Sequence, residues 1–96
     1  MAGQQYIGTG RLGTSQNVAY TGTAGTISNA FGEGVTKVRV VTTSAAFIAF
    51  GQAPTATTSG AYMPAESAEY FTVRPGEKVS AIQLSAGGTL YVTEIV

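Results

Sequence analysis

Cysteine, histidine, aspartate and tryptophan are all missing from this 96-residue sequence, and each absence removes a class of chemistry. Without cysteine there are no disulfides and no thiolate metal sites. Without histidine the commonest general base and metal ligand is gone, and a Ser-His-Asp arrangement cannot be built. Glutamate is the sole carboxylate side chain, with 5 copies against 5 lysines and arginines, so the formal net charge is zero. A chain so balanced has no field to hold nucleic acid or an anionic membrane. We therefore expect no catalytic residues, no cofactor and no metal. The first ten residues lack the basic start and apolar run of a signal peptide, and no stretch approaches the roughly 20 apolar residues of a membrane span.

What is present is glycine, alanine, threonine and short apolar runs. One domain is the expectation for this length, with a modest core. No staple supports that core, so docking onto copies of itself or onto a larger body is the expected source of extra stability. The low net charge suits assembly, because copies repel one another little.

The chain has two textures. Residues 1–34 are polar and interrupted by Gly3, Gly8, Gly10, Gly13, Gly22, Gly25, Gly32 and Gly34, which leaves short strand-like pieces at 5–7, 17–21 and 26–31. This part reads either as an extended arm ordered by its neighbours or as edge strands. Residues 35–96 read as the β-sandwich core. Over 35–43, Lys37 and Arg39 alternate with Val38 and Val40, the period of a half-buried strand. Over 45–51, Phe47 and Ala49 fall on one face and Ala46, Ile48 and Phe50 on the other, so that strand is apolar on both sides. It is central in a sheet or covered by a partner.

Pro75-Gly76 is a turn signal, because proline presets φ near −65° and glycine accepts the positive φ that follows in a type II turn. It predicts a hairpin between the strands 69–74 and 77–84. A second turn at 86–88 leads into a last strand, in which Leu90 and Val92 oppose Tyr91, Thr93 and Ile95. Strands at this spacing, with no helical period, predict an all-β, compact antiparallel sandwich of jelly-roll type.

Candidate sites are few. Glu66 and Glu69 are near enough to suggest an acid and base pair, but a loop position and the lack of other acidic residues favour solvated charges. Gly8-Thr9-Gly10-Arg11-Leu12-Gly13 spells the dinucleotide fingerprint, with Glu33 at the right offset, yet no helix start follows it to hold a phosphate. The apolar strand and the uncharged loop after it supply the candidate protein-interface residues: Phe47, Ile48, Phe50, Tyr62 and Met63. Ordinary core packing is the alternative for Phe47, Ile48 and Phe50, and simple loop packing against the sandwich for Tyr62 and Met63.

The stretch A-A-F-I-A-F-G-Q-A-P-T-A-T, then M-P-A-E-S-A-E-Y-F-T-V-R-P-G-E-K-V-S-A-I-Q, then G-G-T-L-Y-V-T-E, resembles the small β-sandwich virion structural proteins of tailed bacteriophages. The resemblance covers about three-fifths of the chain, from Lys37 to Glu94. It implies a virion protein assembled in the host bacterial cytoplasm, of the capsid decoration or cement type. Its partners would be copies of itself and coat subunits, clamped against internal DNA pressure. A tail, neck or fibre role, structural or receptor-binding, is also compatible with it. It brings no catalytic residue.

Overall fold

The computed structural model describes residues 11–96. Eight strands account for the regular structure: β1 (Leu12–Tyr20), β2 (Gly25–Thr26), β3 (Lys37–Thr42), β4 (Ala46–Gly51), β5 (Ala61–Met63), β6 (Glu69–Thr72), β7 (Lys78–Gln83) and β8 (Gly88–Ile95). They form two four-stranded sheets in the orders β1-β8-β3-β6, sheet A, and β2-β7-β4-β5, sheet B. Every ladder between these strands is antiparallel. Pairing 1 with 8, 2 with 7, 3 with 6 and 4 with 5 makes a long two-stranded ribbon. Rolling that ribbon up brings β8 against β3 and β7 against β4. This is the jelly-roll arrangement, as the sequence predicts.

Alternation decides which residues fill the space between the sheets. Val38 and Val40 from β3, and Leu90 and Val92 from β8, point inward from sheet A; Ala46, Ile48, Val79 and Ala81 point inward from sheet B, and all are buried. Phe50 of β4 and Phe71 of β6 meet across the gap with ring centroids 5.2 Å apart. Ile95 is also buried, beside the register shift in β1 between Leu12 and Ser15, although alternation alone puts it outward.

The described part of the Gly-studded first third, residues 11–34, supplies edge strands. β1 closes sheet A against β8, and β2 closes sheet B against β7. Tyr20, Ile27 and Phe31 are buried in the shared core. The strand-like piece at 5–7 lies outside the described residues. Phe31 is tied by its backbone to the 75–77 turn, donating to the Glu77 carbonyl at 2.9 Å and accepting from Gly76 N at 2.9 Å.

The hairpin expected around Pro75-Gly76 is not formed, although the turn is. Gly76 has φ 88°, and Glu77 N donates to the Arg74 carbonyl at 3.2 Å. Yet β6 pairs with β3 in sheet A, whereas β7 pairs with β4 and β2 in sheet B. The turn therefore carries the chain from one layer to the other. Phe71 and Val79 therefore reach the core from opposite sheets instead of lying side by side on one. A β-turn fixes the reversal, but the choice of strand partner belongs to longer-range packing.

The Pro/Thr/Ser/Ala-rich segment after β4 also carries more structure than its composition suggests. Its middle residues return as β5, pairing Met63 with Ala46 and Tyr62 with Phe47. Before that, the loop lies over the outside of sheet B. Ala56 is buried and its N–H donates to Ser80 Oγ at 3.0 Å, while Thr26 Oγ1 donates to the Pro54 carbonyl at 3.2 Å. Those contacts explain how Ser80, on the outward side of β7, comes to be fully buried.

Candidate functional site

The five interface candidates divide by strand parity. Ile48 and Met63 point into the core and are buried, and Phe50 packs against the core from β4. Phe47 and Tyr62 stand on the outer face of sheet B, where their rings meet edge to face at a centroid distance of 6.0 Å. Sequence alternation separates Phe47 from Ile48, but nothing local indicates that Tyr62 becomes Phe47's neighbour. That follows from the β4–β5 register.

Around this aromatic pair lies an apolar half-face. Ile82 is the direct partner of Phe47 across β4 and β7. One step further out, Leu84 N donates to the Ala45 carbonyl at 3.1 Å, which places Leu84 on the same side. Tyr62 is 55% and Leu84 50% exposed. The loop over Ala56 and Ser80 covers the opposite half of the face and leaves this half open. Lys78 is the one charged residue in the strands of sheet B, and it lies at the far end, opposite Gly51. The open half is thus uncharged, with tyrosine at its rim.

The outside of sheet A has the opposite character. Its outward positions include Ser15 and Asn17 on β1, Tyr91 and Thr93 on β8, Lys37, Arg39 and Val41 on β3, and Tyr70 and Thr72 on β6. Ser15, Thr93, Arg39 and Tyr70 form one cross-strand row, and Asn17, Tyr91 and Val41 the next. Between the rows is a shallow open cavity of about 350 Å³, lined by Ser15, Gln16, Asn17, Arg39, Val41, Tyr91 and Thr93. Sequence reading identifies Arg39 as outward-facing but not the cavity. Its walls come from three strands distant in the chain, and Ser15 and Thr93, 78 residues apart, join across it through an Oγ to Oγ1 hydrogen bond of 3.0 Å.

The two glutamates that suggest acid and base chemistry are not held as a pair. Glu66 is exposed in the loop before β6, at φ 58°, its N–H donating to the Thr42 carbonyl at 2.7 Å. Glu69 is half-buried at the start of β6, opposite Val40. Among the described residues no three His, Cys, Asp or Glu side chains gather in one place. Of the dinucleotide-like string, Gly8 to Gly10 lie outside the described residues, and Leu12 begins a strand where a phosphate site needs a helix. Comparison with protein-family models, with curated proteins and with solved structures yields no match.

Proposed function

We propose that this chain is a bacteriophage virion structural protein, most simply a decoration or cement protein that binds coat subunits on the head shell, works without catalysis and associates with copies of itself. The observation that carries this reading is the open half of sheet B. Phe47, Tyr62, Ile82 and Leu84 form an uncharged, partly exposed surface on an otherwise well-packed sandwich. Burial of apolar area stabilises by about 25 cal/mol per Å². One such patch gives a weak contact, but the same contact repeated over a symmetric shell gives a strong one. The resemblance over Lys37 to Glu94 points to the same setting, and the jelly roll is a fold that capsid proteins use.

The test is fractionation of purified particles into heads and tails, with the copies of this chain counted by quantitative mass spectrometry. High copy number on heads, lost when Tyr62→Glu and Phe47→Glu are introduced together, is the expected outcome. Low copy number confined to tails would assign the chain to a tail, neck or fibre position. The cavity on sheet A favours that second reading, since a receptor-binding module needs a site of small-ligand size.

A further inference from the structure

We propose that the outer face of sheet A is a binding site for a carboxylated saccharide, with Arg39 receiving the carboxylate and Tyr91 the sugar ring. This uses the face opposite the apolar patch, so it stands or falls apart from the assembly role.

Charge is the first ground. The protein is neutral, but the outward positions of sheet A hold Lys37 and Arg39 and, among the described residues, no glutamate. Glu94 follows Thr93 on β8 and faces the other way, its Oε2 accepting from Gly32 N at 3.2 Å. Glu69 sits beside Val40, on the inward parity of β6. The direct neighbours of Arg39 across the sheet are Tyr70 and Thr93, and the diagonal ones Ala68, Thr72, Tyr91 and Ile95. None is acidic. Arg39 thus presents a planar, always-charged donor set to a face that offers it no carboxylate.

Shape and hydrogen-bonding capacity are the second. The cavity beside Arg39, about 350 Å³, is at the small end of ligand pockets. Three strands about 4.8 Å apart make it wide enough for a sugar ring rather than for one small anion. Its polar wall is neutral and dense. Ser15 Oγ and Thr93 Oγ1 bond each other at 3.0 Å, which leaves the pair one donor and several lone pairs for a ligand. Asn17 adds an amide. Gln16 lies at the rim with its own amide spent on the Asn29 backbone, at 2.9 and 3.2 Å. Tyr91, 46% exposed, gives the ring surface against which the C–H side of a pyranose packs. An aromatic plane, a row of hydroxyls and amides and one unopposed guanidinium match the ring, the hydroxyls and the acid group of a carboxylated pyranose.

The test is an NMR titration of the full chain with trigalacturonate, using galactotriose, sodium acetate and a penta-glutamate peptide as comparisons. Galactotriose of the same linkage carries a neutral hydroxymethyl group where trigalacturonate carries each carboxylate. The expected result is saturable shifts at the Asn17, Arg39, Tyr91 and Thr93 amides with trigalacturonate. Affinity should fall about tenfold or more in Arg39→Met and in Tyr91→Ala, and stay unchanged in Arg74→Met, whose arginine lies in the turn after β6. Each variant's unliganded spectrum reports whether the sheet is intact, and Tyr91→Phe, which keeps the ring, should retain binding. Equal shifts with galactotriose would remove the carboxylate from the proposal. Equal affinity for acetate would reduce the site to a small-anion contact, and tighter binding of the peptide would make it a protein surface. Any of these three results, or no shifts on this face, overturns the inference.

Discussion

The hydroxyl of Tyr20 and the backbone of Ser44 hold each other in both directions: the hydroxyl donates to the Ser44 carbonyl at 2.6 Å and accepts from Ser44 N at 3.2 Å. Tyr20 ends β1 in sheet A, and Ser44 lies in the link that takes the chain from β3 to β4 in sheet B. The same corner is drawn in by Ser44 Oγ, which donates to the Gly87 carbonyl at 2.7 Å, and by Thr43 Oγ1, which accepts from Thr89 N at 2.8 Å. The phenol of Tyr20 and the hydroxyls of Thr43 and Ser44 together fasten this corner. Tyr20→Phe should lose about 1 to 2 kcal/mol, because Ser44's partly buried donor and acceptor lose their partner. Urea unfolding of the two proteins measures it, and a change under about 0.5 kcal/mol would mean that water replaces the hydroxyl.

Gly76 and Gly88 are required for different reasons, which substitution should separate. Gly76 has φ 88° with nothing near the position of a Cβ, so only its backbone conformation matters. Gly88 lies against the side-chain oxygens of Ser44, Thr43 and Tyr20, and a Cβ there would collide with Ser44 Oγ and come within 2.6 Å of Thr43 Oγ1 and 2.8 Å of the Tyr20 hydroxyl. Gly76→Val should cost about 1 kcal/mol or more and Gly76→Asn clearly less, since asparagine tolerates left-handed φ. Gly88→Ala should cost at least as much as Gly76→Val, and Gly88→Asn more still, because added atoms worsen the collision. Equal penalties for valine and asparagine at residue 76 would remove the conformational explanation.

Phe50 and Tyr62 are both aromatic residues near β4, and they should respond oppositely. Phe50→Ala empties a position packed on Phe71 and should destabilise by about 2 to 4 kcal/mol. Tyr62→Ser, on the exposed face, should change folding stability by no more than about 0.5 kcal/mol while weakening attachment to particles. Thermal melts read the first effect and co-sedimentation with heads the second.

Glu66 holds a left-handed backbone angle without being glycine. Glu66→Asn should therefore stabilise by about 0.5 to 1 kcal/mol and Glu66→Val should destabilise, with denaturant midpoints as the readout. A loss of stability in Glu66→Asn would show that the glutamate side chain contributes something the backbone argument omits.

The alternation of Lys37, Val38, Arg39 and Val40 was legible in the sequence because one strand with a wet and a dry side writes its burial into every second residue. So was the Pro75-Gly76 turn, whose chemistry is local. The partner of each strand was not legible. Phe71 is joined to Val38 and Val79 is joined to Phe50, and no property of the intervening turn distinguishes that from the hairpin. β5 was hidden because its three residues sit in a composition typical of loops, and burial of Met63 against β4 outweighs that composition. The cavity on sheet A was beyond reach for a further reason: its parts are polar, ordinary and distant in the chain, and become a site only through register.

The rolled ribbon also dictates how the protein can be made. Every ladder joins one of β1–β4 to one of β5–β8, and β8 lies between β1 and β3 in the middle of sheet A. A ribosome that has released β1 to β4 has therefore released no two strands that can pair with each other. Val38, Val40, Ile48 and Phe50 leave the exit tunnel well before the partners that will cover them, on a chain with few charges to keep copies apart. Only when β8 follows does sheet A have a centre to close around, so the sandwich closes in one late, cooperative step that waits for β8.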